Sequence, residues 1–169
     1  MGYLQTADKY SCYGCGACLN ACVHKAIVMT EDEEGFLYPH INKDRCVSCG
    51  LCKKVCPFDS TTIKNKYTSA GCLIHSESRV VHNSSSGGAF TAIIQAVFER
   101  QQNCIVFGVA WDSQLHAVMK AAKTIEETRE FQKSKYVQCD TNECYSQIRK
   151  YLKEGKFVVF SGTPCQNAA

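Results

Sequence analysis

The sequence predicts an α+β chain in two parts, a small cysteine-organised unit over residues 1–66 and a partial α/β unit over residues 67–169. Three observations predict it. Eight of the 13 cysteines fall into two copies of one tight pattern before residue 60. A pair of short β-prone runs separates the copies. Beyond Lys66, apolar residues at helical spacing alternate with continuous apolar runs of strand length, the signature of helices packed on a buried sheet.

The first copy is CYGCGACLNAC, with Cys12, Cys15, Cys18 and Cys22; the second is CVSCGLCKKVCP, with Cys46, Cys49, Cys52 and Cys56, 34 residues further on. Each reads C-x2-C-x2-C-x3-C. Three thiolates that close together on a short loop can bind three corners of one 4Fe-4S cube, and the fourth corner must come from elsewhere. In the two-cluster bacterial ferredoxin arrangement it is the last cysteine of the opposite copy. The expected ligand sets are therefore Cys12, Cys15, Cys18 and Cys56 for cluster 1, and Cys22, Cys46, Cys49 and Cys52 for cluster 2. Pro57 follows the last cysteine, whereas Val23 stands where the first copy would carry proline. That departure is mild, because proline stiffens the turn and ligates nothing. Structural zinc takes two separated C-x2-C pairs per site and fits this spacing poorly. A disulfide framework fits worse: Met1 to Tyr10 is polar rather than a signal peptide, so the chain is expected in the reducing cytoplasm, where thiols stay free for metal.

Composition bounds the function further. At 169 residues with 45% hydrophobic content the chain can bury a real core. No apolar run approaches the roughly 18 residues of a membrane span. The formal charge is +3. Two oxidised cubes with their thiolates add about two negative charges each, leaving roughly −1 and no basis for nucleic-acid binding.

The elements follow in order. Ala26 to Thr30 and Phe36 to Ile41 are expected as a hairpin around the acidic, glycine-ended turn Glu31 to Gly35. Ser60 to Ile63 is a weaker counterpart of its first strand. Because ligands come from both halves, the clusters supply much of this unit's folding free energy. Ala70 to Ile74 is a short apolar run. Ser84 to Gly88 then lead into a helix over Ala89 to Gln101, where Phe90, Ile93, Ile94, Val97 and Phe98 recur on one side behind a serine cap. Cys104 to Ala110 suits a strand buried on both faces. Thr124 and Glu127 form a capping box for a short helix. Asn142 to Glu154 is a third helix with Tyr145, Ile148 and Leu152 on one side, and Phe157 to Phe160 is a second buried strand, running into Ser161 to Gln166.

With these motifs in this order, the chain resembles the beta subunit of coenzyme F(420) hydrogenase/dehydrogenase. The resemblance rests on the double cysteine pattern, SSSGGAF at Ser84 to Phe90, FGVAWD at Phe107 to Asp112, SKYVQCD at Ser134 to Asp140 and SGTPCQ at Ser161 to Gln166. It implies a flavin-dependent oxidoreductase that binds FAD beside iron-sulfur clusters and, in some branches, exchanges a hydride with a deazaflavin. Family members continue well beyond GTPCQ, whereas here Ala168 and Ala169 follow before a further helix has a turn. A truncated chain with an uncovered sheet edge is the resulting expectation, completed by the missing segment or a redox partner protein.

Two segments have a physical rationale for the flavin. SSSGG before a helix offers backbone N–H groups at a positive helix end, suited to a pyrophosphate. SGTPC after a strand lies at the carboxyl edge of the sheet, where open α/β folds bind ligands. Ser86, Gly87, Gly88, Gly162 and Thr163 are the expected flavin contacts, with Cys165 as a ligand, redox or flavin-adjacent residue. Cys72 and Cys104 read as packing residues. His24, His40, His75, His82 and His116 show no paired spacing. Tyr13 reads as a cover over a cluster. A structural or regulatory iron-sulfur module would have clusters that cannot be cycled reversibly; the two electron-transfer functions that fit are the electron-transferring portion of a flavoprotein oxidoreductase, or a stand-alone ferredoxin-type carrier whose residues 67–169 dock a partner enzyme. Flavin binding separates them.

Overall fold

The computed structural model describes residues 2–59 and 69–169, so the strand expected over 60–63 lies outside the described residues. Three short helices belong to the cysteine-bearing part: α1 (Tyr3–Thr6), α2 (Ala17–Ala21) and α3 (Leu51–Lys54). Between α2 and α3 runs an antiparallel hairpin of β1 (Ile27–Glu31) and β2 (Leu37–Ile41), with Ile27 opposite Ile41 and Glu31 opposite Leu37. Asp32 closes its turn: the carboxylate accepts the Glu34 amide at 3.0 Å and the Phe36 amide at 2.9 Å. Gly35 supplies the left-handed residue the turn needs, at φ 81°. The predicted hairpin is present, with its first strand shifted by one residue.

The rest of the described chain is a three-stranded sheet between helices. Its elements are α4 (Ser78–His82), α5 (Ala89–Arg100), β3 (Cys104–Trp111), β4 (Ala117–Ala122), α6 (Cys144–Lys153), β5 (Phe157–Phe160) and α7 (Pro164–Asn167). The strand order is β4-β3-β5; β3 pairs antiparallel with β4 and parallel with β5, which it reaches by way of α6. Alternate residues of β3 face opposite ways. Ile105 and Phe107 pack with Met119 of β4 against Tyr145, Ile148 and Tyr151 of α6. Cys104 and Val106 pack against Phe90, Ile94, Val97 and Phe98 of α5. Val106 and Phe107 are fully buried, so the expected strand with two buried faces is found.

Several expectations need correction. The α5 cap is not a serine: Gly88 occupies it at φ 80° with no side-chain cap bond, because Ser84 Oγ donates to the Val80 carbonyl at 2.8 Å and Ser85 Oγ accepts the Ser134 amide at 2.7 Å. Thr124 accepts the Glu127 amide at 3.3 Å, but the Glu127 carboxylate reaches the Lys123 amide instead, and a single 3-10 segment, Glu127–Phe131, follows. On α6, Leu152 is exposed and Tyr151 takes the packed position. Strand β5 lies at an edge and is only half-buried, with Phe157 exposed. Ala70 to Ile74 forms no strand, and Cys72 is exposed rather than packed. Strand β4 was not anticipated, because AVMKAA has little β preference and forms by pairing with β3. A helical turn does form after Thr163, which makes a reciprocal capping box with Gln166 around Pro164. No helix among the described residues is long and apolar enough to cross a membrane.

Candidate iron-sulfur site and adjoining cleft

The two cysteine loops repeat in backbone as well as in sequence. Gly16 and Gly50 both stand at φ 73° at the starts of α2 and α3, and Gly14 at φ 64° is matched 34 residues later by Ser48 at φ 54°. This left-handed turn wraps three cysteines around one point. The Cys12 sulfur accepts the Gly14 amide and the Cys22 sulfur the Ala26 amide, both at 3.3 Å. Hydrogen bonds of this kind stabilise thiolate charge and tune an iron-sulfur centre.

Cys12, Cys15, Cys18 and Cys56 line one cavity, together with Cys52, Met29, Pro39 and Phe58. Among the described residues no three His, Cys, Asp or Glu side chains form a compact single-ion site; these thiols instead surround a space. Burial pushes the Cys18 thiol up to about 12 and Cys15 to about 11, with neighbouring thiols adding to the shift. Cys12 is raised for the same reason, with Cys56 the first thiol to add to the effect. Bare, these groups are neutral at pH 7, so loading with metal must release their protons. Cys52 likewise is raised by burial and by Cys46 and Cys49. A set of thiols around a cavity, Cys15 buried and the others half-buried, with an amide aimed at the Cys12 sulfur, is a donor set that fits a 4Fe-4S cube.

The first loop is docked onto the sheet-bearing part. Thr141 Oγ1 and the Tyr145 hydroxyl both donate to the Cys15 carbonyl, at 3.3 and 3.0 Å. Tyr145 lies equally close to the Gln166 carbonyl, at 3.1 Å, and so joins the cysteine loop to α7. Burial pushes its phenol far up, so it stays a donor. Gln138 reads the backbone of Leu37 from both ends of its amide, accepting from the nitrogen at 2.6 Å and donating to the oxygen at 3.2 Å. Asn20 donates to the Asn142 carbonyl at 2.8 Å. The contact is close enough that a Cβ on Gly14 would stand 2.0 Å from Gln138 Nε2, and one on Gly16 2.0 Å from Thr141 Oγ1.

Beside this junction lies a cleft of about 880 Å³. Its walls include Ser84 to Ser86 and Gly88 at the start of α5, Lys133 to Lys135, and Gly162, Thr163 and Cys165 after β5. Cys12 and Tyr13 of the first loop line it too. Thus Ser86, Gly88, Gly162, Thr163 and Cys165 come together from distant parts of the sequence. Gly87 is not on the wall: it is pressed against Leu73, whose carbonyl would be 2.1 Å from a Cβ there, and its own carbonyl accepts the His75 amide at 2.7 Å. Cys165 Sγ sits 3.1 Å from Thr163 Oγ1 and 3.9 Å from the Tyr13 carbonyl. The Tyr13 ring packs against that of Phe58 at 5.3 Å between ring centres, tilted by 51°. Lys135 is partly desolvated, which lowers its pKa, and donates to the Glu130 and Gln132 carbonyls at 2.8 Å. Cys139 and Cys144 belong to the core, and burial pushes both thiols up to about 12.

Sequence reasoning missed Gln138, Thr141 and Tyr145 as junction residues and Lys133 and Lys135 as wall residues. Most of them lie in or next to SKYVQCD, a segment valued only for its resemblance. No local pattern reveals that its side chains face a cysteine loop more than a hundred residues away.

Comparison with known proteins defines the class. Residues 11–60 match the 4Fe-4S dicluster domain family. An uncharacterized ferredoxin of Methanocaldococcus jannaschii is 33% identical over 57 residues, which are 34% of this chain and 73% of the ferredoxin. One subunit of the Na(+)-translocating ferredoxin:NAD(+) oxidoreductase complex of Acetobacterium woodii is 36% identical over 55 residues, 32% of this chain and 15% of that subunit. Through residues 11–60 the chain belongs to the ferredoxin-like dicluster 4Fe-4S proteins. Over 92% of its length it is also similar, at 23% identity across 166 residues, to a subunit of the F(420)H(2) dehydrogenase of Methanosarcina mazei, covering 46% of that protein. The chain therefore spans less than half the length of these two complex subunits.

Proposed function

We propose that the chain carries single electrons between two 4Fe-4S clusters and a flavin, as part of an oxidoreductase. Cys12, Cys15, Cys18 and Cys56 would hold cluster 1; Cys22, Cys46, Cys49 and Cys52 would hold cluster 2. The cleft would take FAD, with Ser86, Gly88, Lys133 and Lys135 toward its phosphates and Gly162, Thr163 and Cys165 near Cys12 and Tyr13. The observation that carries the reading is that one cleft is lined both by the expected flavin residues other than Gly87 and by Cys12 of the first cysteine loop. When bound, clusters supply one-electron steps and a flavin exchanges one or two electrons.

The chain's own groups do the positioning. Thr141 and Tyr145 hold the Cys15 carbonyl, Gln138 holds β2, and the rings of Tyr13 and Phe58 shield the cysteine loop from water. The name of the Methanosarcina relative supports a reduced deazaflavin as a two-electron donor. Extent of match favours a second reading, the ferredoxin-type carrier, since the chain covers most of the Methanocaldococcus ferredoxin.

Anaerobic purification with iron, acid-labile sulfide, zinc and flavin measured on one sample tests all of this. About eight irons and eight sulfides per chain with FAD retained supports the oxidoreductase portion. The same metal content with no affinity for added FAD leaves the carrier, and zinc without sulfide removes both. Bulky substitutions at Gly87 or Gly162 are poor probes, because a Cβ at Gly162 meets Phe160 at 2.7 Å and one at Gly87 meets Leu73. Thr163→Val and Lys135→Gln are better: each should weaken FAD retention while leaving iron unchanged.

A further inference from the structure

The charges of the cysteine-bearing part are segregated. Lys43, Arg45, Lys53 and Lys54 are all exposed, lie on or beside the second cysteine loop, and form no ion pair among the described residues. Of the other cations there, Lys9 pairs with Asp32 and Lys25 with Glu143. Four acidic residues gather instead in the hairpin turn, Glu31 to Glu34; beside the basic residues lie Asp44 and Asp59, the latter held below the usual carboxylate range by the Gly2 amide and, more weakly, by Lys53. Between these cations in the sequence, Val47 is 59% exposed and Leu51 38%, and Cys49 is the one exposed thiol of the eight in the two patterns. The equivalent face of the first loop is covered by Gln138, Thr141 and Tyr145.

We propose that this face docks an acidic one-electron carrier protein, an inference that rests on the electron-transfer reading. Four exposed cations against the two carboxylates Asp44 and Asp59 leave a net positive charge that attracts a negatively charged partner and orients its approach, while Val47 and Leu51 provide the dry contact. The exchange moves one electron and no proton: what the carrier loses the protein gains, or the reverse.

The test uses the holoprotein of all 169 residues and, as probe, an oxidised acidic two-cluster bacterial ferredoxin, with binding followed by calorimetry at low and physiological salt. Binding should weaken by about tenfold across that range, as screening of exposed charges requires. Lys53→Glu with Lys54→Glu should abolish it at low salt, Lys53→Gln with Lys54→Gln should weaken it severalfold, and Glu31→Lys with Glu33→Lys should not weaken it. Iron and sulfide content confirms that each variant is assembled. As a second readout, oxidation of the reduced protein by ferricyanide should slow in the glutamate variant and oxidation by hexaamminecobalt(III) should quicken. Salt-insensitive binding, unaltered binding in the glutamate variant, or self-association of the chain through this face would each overturn the proposal. Because binding is read without redox cycling, clusters that bind iron but cannot be cycled would defeat the electron-transfer reading while the docking result stands on its own.

Discussion

The two cysteine loops have one pattern and one backbone but opposite surroundings. Gly16 and Gly50 share φ 73°, yet a Cβ on Gly16 would collide with Thr141 while one on Gly50 meets nothing within 4 Å. At the paired left-handed position the first loop carries Gly14, wedged against Gln138, and the second carries Ser48 in the open. The difference teaches that cysteine spacing and local turn geometry build a cluster loop, whereas its environment is assigned by what packs on it. One loop faces a cleft and is held by hydroxyls from the sheet-bearing part. The other faces solvent.

The strongest way to break the comparison is to remove ligands. Cys56→Ser is expected to lose about half the iron and to affect the first-loop cluster, and Cys22→Ser the second; if each change instead damages the cluster of its own loop, the crosswise assignment is wrong. Spectroscopy of the reduced proteins distinguishes the two clusters. Next comes an exchange of the glycines. Gly50→Ala should cost about 1 kcal/mol for the left-handed backbone alone. Gly16→Ala should cost about 1–3 kcal/mol more, because Thr141 has to move. Anaerobic thermal unfolding of the two holoproteins measures the gap, and equal losses would show that the junction is not formed in solution.

A smaller effect is expected at Tyr145. Tyr145→Phe removes the hydroxyl bond to the Cys15 carbonyl and should destabilise by about 1 kcal/mol. Its proton is the positive end of a dipole beside the first loop, so its loss should lower one cluster potential and leave the other in place. A shift in both potentials, or in neither, would deny the loops their separate environments. The smallest change is expected for Lys25→Ala, whose pair with Glu143 is 3.7 Å long and exposed on both sides, at 82% and 71%. Unfolding and iron content should be unaltered within error.

Much of this was legible because its causes are local. The hairpin is carried by an acidic turn ending in Gly35, α5 by its apolar spacing, and β3 by an apolar run long enough to be buried on both sides. Where the environment decided, local reading misled. Ser84 and Ser85 have good capping chemistry, but their hydroxyls are taken by Val80 and Ser134, which leaves Gly88 as the cap. Leu152 is more apolar than Tyr151 yet lies outside, because the face of α6 is set by which residues meet Phe107. Cys72 looked like Cys104 in sequence; only Cys104 lies under a helix.

By itself the sequence determined that this is an iron-sulfur protein with two equivalent cysteine loops, since thiol spacing and left-handed glycines are properties of a few consecutive residues. It also carried the strand β3 and the helical period of α5 in the second part. Only the tertiary structure decided that the loops are not equivalent in use. Gln138, Thr141 and Tyr145 reach the first loop from more than a hundred residues away, and Ser86, Gly88, Lys135, Gly162 and Thr163 become neighbours around one cleft. Such meetings depend on how a central strand, its flanking helices and the loop after β5 pack together, and no short-range pattern in the chain encodes that geometry.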